Sequence, residues 1–188
     1  MAHFSEDDAH PVTRITAGSI GEPGRRVFIL QAQYGKSLVS WVIEKDHAVA
    51  LMRAIPRLLS DIRTQYPELA EPLVAHRPNL DLVEPLSPEF RVASIGLGYD
   101  RIHDLVILTL ADGGQDSEEG QDGADGNPAS SETQLFTTRG QALLLSQQSE
   151  QMVAAGRPAC PNCGQPIDDY GHFCAPDASG RRTGGVLH

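Results

Sequence analysis

The order of apolar patterns along the chain is the feature that most restricts its fold, because the same order occurs twice. Each time, three short runs of apolar and β-branched residues precede one amphipathic helix pattern. The strand patterns lie at 12–17, 26–33, 37–44, 90–98, 104–111 and 133–137, and the helix patterns at 46–65 and 139–155. Short turns between strands favour antiparallel pairing. We therefore predict an α+β fold, with an antiparallel sheet built from two βββα units and both helices on one face.

Short sequence matches between the two units favour an internal duplication. Residues 19–21 and 94–96 are both Ser-Ile-Gly, residues 27–30 resemble 105–108, and residues 45–51 resemble 139–145. The alternative is that any two amphipathic βββα segments resemble one another to this degree. Three matches in the same order favour duplication over that alternative.

The first helix pattern has a clear apolar face and an internal proline. Pro56 predicts a kink or a break into two helices, because proline lacks the N–H that a helix interior requires. The apolar residues recur at the spacing of one helix face, at Leu51, Ile55, Leu58, Leu59 and Ile62. After this helix, five prolines within residues 67–88 favour an extended connection between the two units.

The net charge of −10 is concentrated in two segments of the chain. Residues 1–10 contribute −3 and residues 112–132 contribute −7, so the remaining parts are neutral overall. Both segments contain little that could be buried, so we predict a disordered N-terminus over 1–11 and a disordered acidic loop over 112–132. A neutral domain without a basic stripe argues against direct nucleic-acid binding.

The sequence features that indicate a cellular compartment favour the cytoplasm. The N-terminus lacks the basic and apolar regions of a signal peptide, and no run of about 18 apolar residues occurs. The three cysteines are clustered and odd in number, which fits a metal site in a reducing compartment better than a disulfide framework. We expect a cytoplasmic protein without a membrane span, with one domain over 12–156 and a separate tail over 157–188.

The tail carries the strongest chemical signature of the chain, the pattern Cys-x2-Cys-x8-His-x-Cys. Three thiolates and one imidazole are the donor number and type that a closed, tetrahedral zinc site uses, which leaves no open position for catalysis. We predict a zinc-ribbon-like tail with one structural Zn²⁺ held by Cys160, Cys163, His172 and Cys174. Asp168 and His188 are fallback ligands in place of His172. The alternatives are a cluster of free thiols and a redox Cys-x-x-Cys motif.

Other chemical motifs are scarce, which favours a non-catalytic interaction protein. The sequence contains no Walker A loop, no dinucleotide-binding glycine pattern, no zinc-protease motif and no nucleophile elbow. The first alternative is an enzyme with an unrecognised site between the two halves, using His103 or Asp104. The second is a zinc-dependent nucleic-acid-binding protein. An exposed edge strand would permit homodimerisation or strand addition by a partner.

Several longer segments resemble one family. The segments GEPGRRVFILQAQYG, SLVSWVIEK and FRVASIGLGYD, with the terminal AAGRPACPNCGQPID and GHFC, resemble an actinobacterial family of small proteins of unknown biochemical function, which includes a ParJ branch. The resemblance covers nearly the whole chain outside the acidic loop. The four predicted zinc ligands match the family's CPxCG…GHxC element, whereas residues 175–180 depart from the family pattern beyond that element. The ParJ resemblance implies a regulator of a ParA-type chromosome-partitioning ATPase that acts on its polymerisation, and the family has no established enzymatic activity.

Overall fold

The computed structural model describes residues 10–21, 25–74, 80–113 and 131–155. Within these ranges the chain forms six strands and two helices in the predicted βββα-βββα order. They are β1 (Arg14–Ile20), β2 (Val27–Tyr34), β3 (Ser37–Ile43), α1 (Lys45–Gln65), β4 (Pro88–Asp100), β5 (Leu105–Asp112), β6 (Glu132–Thr138) and α2 (Arg139–Ala155). Neither described helix is long and apolar enough to cross a lipid bilayer.

The six strands form one mixed sheet in sequence order, so the prediction of a wholly antiparallel sheet is wrong at one position. Strands within each unit pair antiparallel, as their short turns require. β3 and β4, however, pair parallel where the two units meet, with Ser40 opposite Pro88 and Val42 opposite Arg91. The reason is the long crossover between them, because α1 and the connection after it carry the chain back before β4 begins.

The two units correspond closely at two of the three sequence matches. Residues 27–30 and 105–108 begin β2 and β5, and both helices begin at the matched residues Lys45 and Arg139. The Ser-Ile-Gly match does not hold in the structure. In the first hairpin, Ile20 lies opposite Val27. In the second hairpin, the residue that corresponds to Val27 is Leu105, and the residue opposite it is Asp100, five residues beyond Ile95.

Helix α1 continues through Pro56 without a break, so of the two predicted outcomes, a kink or a split, the split does not occur. Pro56 is exposed, and the carbonyl group that loses its donor at this position can therefore be hydrated. The helix begins after Glu44, whose backbone N–H donates to Nδ1 of His47 at 3.1 Å. Nε2 of His47 lies 3.2 Å from the Ala93 carbonyl, so the ring joins the start of α1 to β4.

The core lies between the sheet and both helices, which pack against each other. Alternate residues of the strands, such as Leu30 and Ala32 in β2, share one buried cluster with residues of α1 and α2. The predicted helix face is confirmed at Leu51, Ile55 and Ile62, which are buried, and Leu58 and Leu59 pack partly buried against the cluster. Both helices therefore cover one face of the sheet, as predicted.

The opposite face of the first unit carries buried polar side chains and is partly covered by residues 80–83 of the connection. The buried side chain of Gln31 donates to the Val83 carbonyl at 2.8 Å and accepts from the Val83 N–H at 3.0 Å. Thr16 donates to the Leu80 carbonyl, and Arg14 donates to the Asp81 carbonyl. These side chains hold the backbone of the segment against β1 and β2.

The outer edges of the sheet approach each other and are partly capped by α2. The Val12 N–H, just before β1, donates to the Phe136 carbonyl of β6 at 2.8 Å. The side chain of Gln141 donates to the Val12 carbonyl at 2.7 Å, and that of Gln148 accepts from the Ala17 N–H at 3.3 Å. Part of the β1 edge is therefore already occupied by groups of the same chain.

Candidate functional site

The predicted zinc ligands Cys160, Cys163, His172 and Cys174 lie outside the described residues, and so do Asp168 and His188. Among the described residues, no three His, Cys, Asp or Glu side chains come together to hold a metal ion. A polar cluster in the described part of the chain surrounds Asp104, one of the two residues that the sequence offers for the enzyme alternative.

His103 and Asp104 are adjacent in sequence but have different partners. Nδ1 of His103 lies 2.6 Å from Oδ2 of Asp100, and Oδ1 of Asp100 accepts the backbone N–H of Ile102 at 2.8 Å. The hydrogen bond with His103, assisted by the backbone donors, lowers the pKa of Asp100. Asp100 and His103 thus organise the turn between β4 and β5.

Asp104 closes this turn in a backbone conformation that few residue types adopt readily. Its φ is 55°, in the left-handed region where asparagine and aspartate are enriched among non-glycine residues. This conformation presents its carboxylate to Arg139, the first residue of α2. Nε of Arg139 donates to Oδ1 at 2.7 Å and Nη2 donates to Oδ2 at 3.0 Å, which makes the contact bidentate.

Two further hydrogen bonds complete the cluster. The Tyr99 hydroxyl donates to Oδ1 of Asp104 at 2.7 Å, and Nη2 of Arg139 also donates to the Ala70 carbonyl at 2.8 Å. The Arg139 side chain is only 12 % exposed, so these bonds replace most of its hydration. The guanidinium therefore joins the β4–β5 turn, the start of α2 and the connection after α1.

The electrostatics of the cluster favour a fixed ion pair. Burial alone would raise the pKa of Asp104, but the hydrogen bonds from Arg139 and Tyr99 outweigh it and lower the pKa. Burial, together with the hydrogen bond to Asp104, raises the pKa of Tyr99 to about 12. At neutral pH the carboxylate is ionised and the phenol is protonated, and neither group is suited to exchange a proton.

An aromatic and cationic contact extends the cluster toward α1. The rings of Tyr66 and Tyr99 lie 6.1 Å apart between centroids, and the Arg101 guanidinium carbon lies 4.9 Å from the Tyr66 ring centroid. Tyr66 is the C-cap of α1, so this contact attaches the end of the helix to the same turn.

A cleft of about 530 Å³ lies beside Arg139, between α1, the connection and the first turn of α2. Its rim carries Arg63 and Glu71, which form an ion pair at 3.0 Å. Its apolar lining comes from Pro56, Leu59, Pro67, Leu69, Pro72 and Leu143.

Two large apolar side chains are strongly exposed near the same cluster. Leu73 is 92 % exposed and Ile102 is 89 % exposed, the highest values among the large apolar residues that the structure describes. Leu73 follows Ala70 by three residues and Ile102 precedes Asp104 by two, and Arg139 binds both Ala70 and Asp104. The two apolar side chains therefore extend from segments that Arg139 holds together.

Sequence analysis selected Asp104 but missed its two partners. The sequence identifies Arg139 only as the residue matched to Lys45 and as the start of a helix pattern, and it places Tyr99 just beyond the fourth strand pattern. Residues 35 positions apart in the chain meet here, and no local spacing indicates such a contact.

Comparison with known proteins gives a family without an assigned activity. The sequence signature of DUF3090, described as a protein of unknown function, matches residues 8–174. This range covers most of the chain. The chain belongs to the DUF3090 family. Neither a curated protein nor a solved structure matches it. The DUF3090 match takes in the whole described domain and extends to Cys174, the last of the predicted zinc ligands.

Proposed function

We propose that this DUF3090 chain is a non-catalytic regulatory protein that binds another protein and carries a structural zinc site in its tail. The observations that carry the proposal are the exposure of Leu73 and Ile102, on segments that Arg139 joins, and the apolar cleft that Arg139 also lines. We call these two residues and the cleft the docking face. Large apolar residues exposed to this extent are candidates for a surface that a partner covers.

The Asp104 cluster supports binding rather than catalysis at this face. Its carboxylate and guanidinium satisfy each other, and Tyr99 and Ala70 take up further hydrogen bonds. The cluster thereby fixes the segments that carry Leu73 and Ile102. A surface whose backbone is fixed in advance loses less conformational entropy when a partner binds.

The proposed partner is a ParA-type chromosome-partitioning ATPase, and the support for it is the ParJ resemblance of the sequence. In this role the protein would change the polymerisation of the ATPase by binding to it. The docking face is the surface through which we expect the contact to form, because it is exposed and apolar.

The tail contributes a donor set that suits zinc. Three thiolates and one imidazole in a Cys-x2-Cys-x8-His-x-Cys spacing satisfy a tetrahedral ion without an exchangeable water. When bound, the ion supplies folding free energy to a segment with few large apolar residues. We assign Cys160, Cys163, His172 and Cys174 to this role.

The proposal is tested with a purified actinobacterial ParA-type ATPase. Binding to the intact protein is measured by biolayer interferometry, and polymerisation of the ATPase by light scattering. We expect Leu73→Ser/Ile102→Ser to weaken binding at least about tenfold, since each large apolar side chain that a partner fully buries contributes about 1.5–3 kcal/mol. Val83→Ser is the matched control, because Val83 is also an exposed apolar residue, on the covered polar face of the sheet.

The outcomes separate the parts of the proposal. No binding and no effect on polymerisation with the intact protein would refute the ATPase as partner. Equal binding by the double variant and by Val83→Ser would refute the docking face. Metal analysis of the same preparations should give about one zinc per intact chain, and Cys160→Ser/Cys163→Ser should remove it.

A further inference from the structure

Helix α2 runs beside β1 in the same direction as the strand. Near the start of the helix, Gln141 contacts Val12, and two turns later Gln148 contacts Thr16 and Ala17. Further along the helix, Gln151 and Met152 line a depression together with residues 17–19. The C-terminal end of α2 therefore lies beside the C-terminal end of β1.

The depression at this end of the molecule has a volume of about 350 Å³. Residues 80–82 form one wall, and Leu82 lies so close to Gly18 that a Cβ there would come within 2.7 Å of the leucine side chain. Glycine at position 18 therefore leaves the room that Leu82 needs to pack on β1. We call this feature, with the adjacent Ile20 and Val27, the β1-end depression.

Ile20 and Val27 extend the depression with apolar surface. They are cross-strand partners at the end of the β1–β2 hairpin, and they are 43 % and 44 % exposed. Ile20 is two residues beyond Gly18 in β1, so both positions belong to the same face of the sheet. The described residues therefore leave this apolar pair half exposed at the end of the hairpin.

We propose that residues 156–188 of the same chain dock on the β1-end depression. The described part of α2 ends at Ala155, and four residues of helix rise about 6 Å from Gln151. The segment after Ala155 therefore starts at the edge of the depression. It offers apolar side chains that suit it, including Ile167, Tyr170 and Phe173 next to the predicted zinc ligands.

An attached segment fits this surface better than a second molecule does. Two half-exposed residues and a small depression offer far less than the roughly 1,200–2,000 Å² that stable interfaces between separate proteins bury. A covalently attached segment, in contrast, is held at an effective concentration in about the millimolar range by its short tether. A weak apolar contact is then sufficient to keep it docked. The inference is independent of the identity of any partner.

The test places a photoreactive benzoylphenylalanine at position 20 of the full-length, zinc-loaded protein. The matched control carries it at position 102, where Ile102 is also exposed but lies near the opposite end of α2. After irradiation, crosslinked peptides are identified by mass spectrometry in an equal mixture of isotopically light and heavy chains. We expect position 20 to crosslink to residues 156–188 within one chain at least about tenfold more than position 102 does, as tethering confines the segment to one end.

Three results would overturn the proposal. One is the absence of crosslinks from position 20 to residues 156–188. Another is equal crosslinking from positions 20 and 102. The third is crosslinks that join light to heavy chains, which would assign the depression to a second copy. The first and third results leave binding of the ATPase at the docking face unaffected, so the two proposals can fail separately.

Discussion

Asp104 shows how one residue can fix three segments of this domain. Asp104 has a positive φ and presents its carboxylate to Arg139, whose Nη2 also donates to the Ala70 carbonyl. The adjacent His103 is directed to Asp100 instead. The sequence drew attention to His103 and Asp104 as candidates for an unrecognised enzyme site, but it could not show which partner each residue has, because those partners come together only through the fold.

We expect Asp104→Asn to destabilise the domain by about 1–2 kcal/mol at pH 7, the cost of losing charge-assisted hydrogen bonds at a carboxylate that is 40 % exposed. Asparagine tolerates the same φ, so the change removes charge without adding backbone strain. Because the folded pKa of Asp104 is lowered, its ionised form stabilises the fold above its unfolded pKa of about 3.9. That contribution is lost as the pH falls through the lower folded value.

Urea unfolding of both proteins between pH 7 and pH 3 checks this prediction. The free energies of unfolding should differ most near neutral pH and begin to converge as the pH falls below about 3.9, where the wild-type carboxyl starts to be protonated in the unfolded chain. Glu150→Gln is the control, since it removes one negative charge from an exposed position on α2. A difference that stays constant with pH, or that Glu150→Gln reproduces, would contradict the role of the ion pair.

At the scale of elements, α2 lies against the connection after α1, and Gly140 permits this approach. Gly140 is buried in the first turn of α2, and a Cβ at this position would collide with the backbone carbonyl of Leu73. Glycine to alanine in a helix is normally stabilising by about 0.5–1 kcal/mol. Here the clash is with backbone, which cannot rotate away, so the sign should reverse.

We therefore expect Gly140→Ala to destabilise the domain by about 1–3 kcal/mol, as overpacking of a tight contact does. Thermal unfolding followed by circular dichroism measures the change. Gln147→Ala, at an exposed position of the same helix, should be neutral or slightly stabilising. An unchanged or raised melting temperature for Gly140→Ala would show that the connection does not pack on α2 as described.

The elements themselves could be predicted because their signals are local. Apolar periodicity located all six strands and both helices in the correct order, and the helix starts at Lys45 and Arg139 coincide with the sequence matches. Periodicity indicates which face of an element is buried, but it does not indicate which other elements pack beside that element. The parallel pairing of β3 with β4 depends on where α1 and the connection deliver the chain, and it was therefore missed.

At the scale of the whole molecule, the same limit applies to the polar face of the sheet. Gln31 is fully buried, although its sequence pattern is that of an ordinary strand residue. Its burial results from the connection, whose Val83 satisfies both ends of the amide. The segment that sequence analysis treated as an extended linker is thus part of the domain where residues 80–83 cross the sheet.

We expect removal of zinc to leave this domain folded. The described core cluster is built from residues between Val12 and Val153, so the sheet and both helices bury a shared apolar core within the described residues. Cys160→Ser/Cys163→Ser should therefore keep a cooperative unfolding transition, while hydrogen exchange increases at residues 17–20 and 80–82, where the tail is proposed to dock. Exchange measured by mass spectrometry on the zinc-loaded protein and on the variant checks both parts. Loss of protection throughout β2 and β5 would mean that zinc stabilises the entire fold. Unchanged exchange at residues 17–20 and 80–82 would mean that zinc binding in the tail does not affect the β1-end depression.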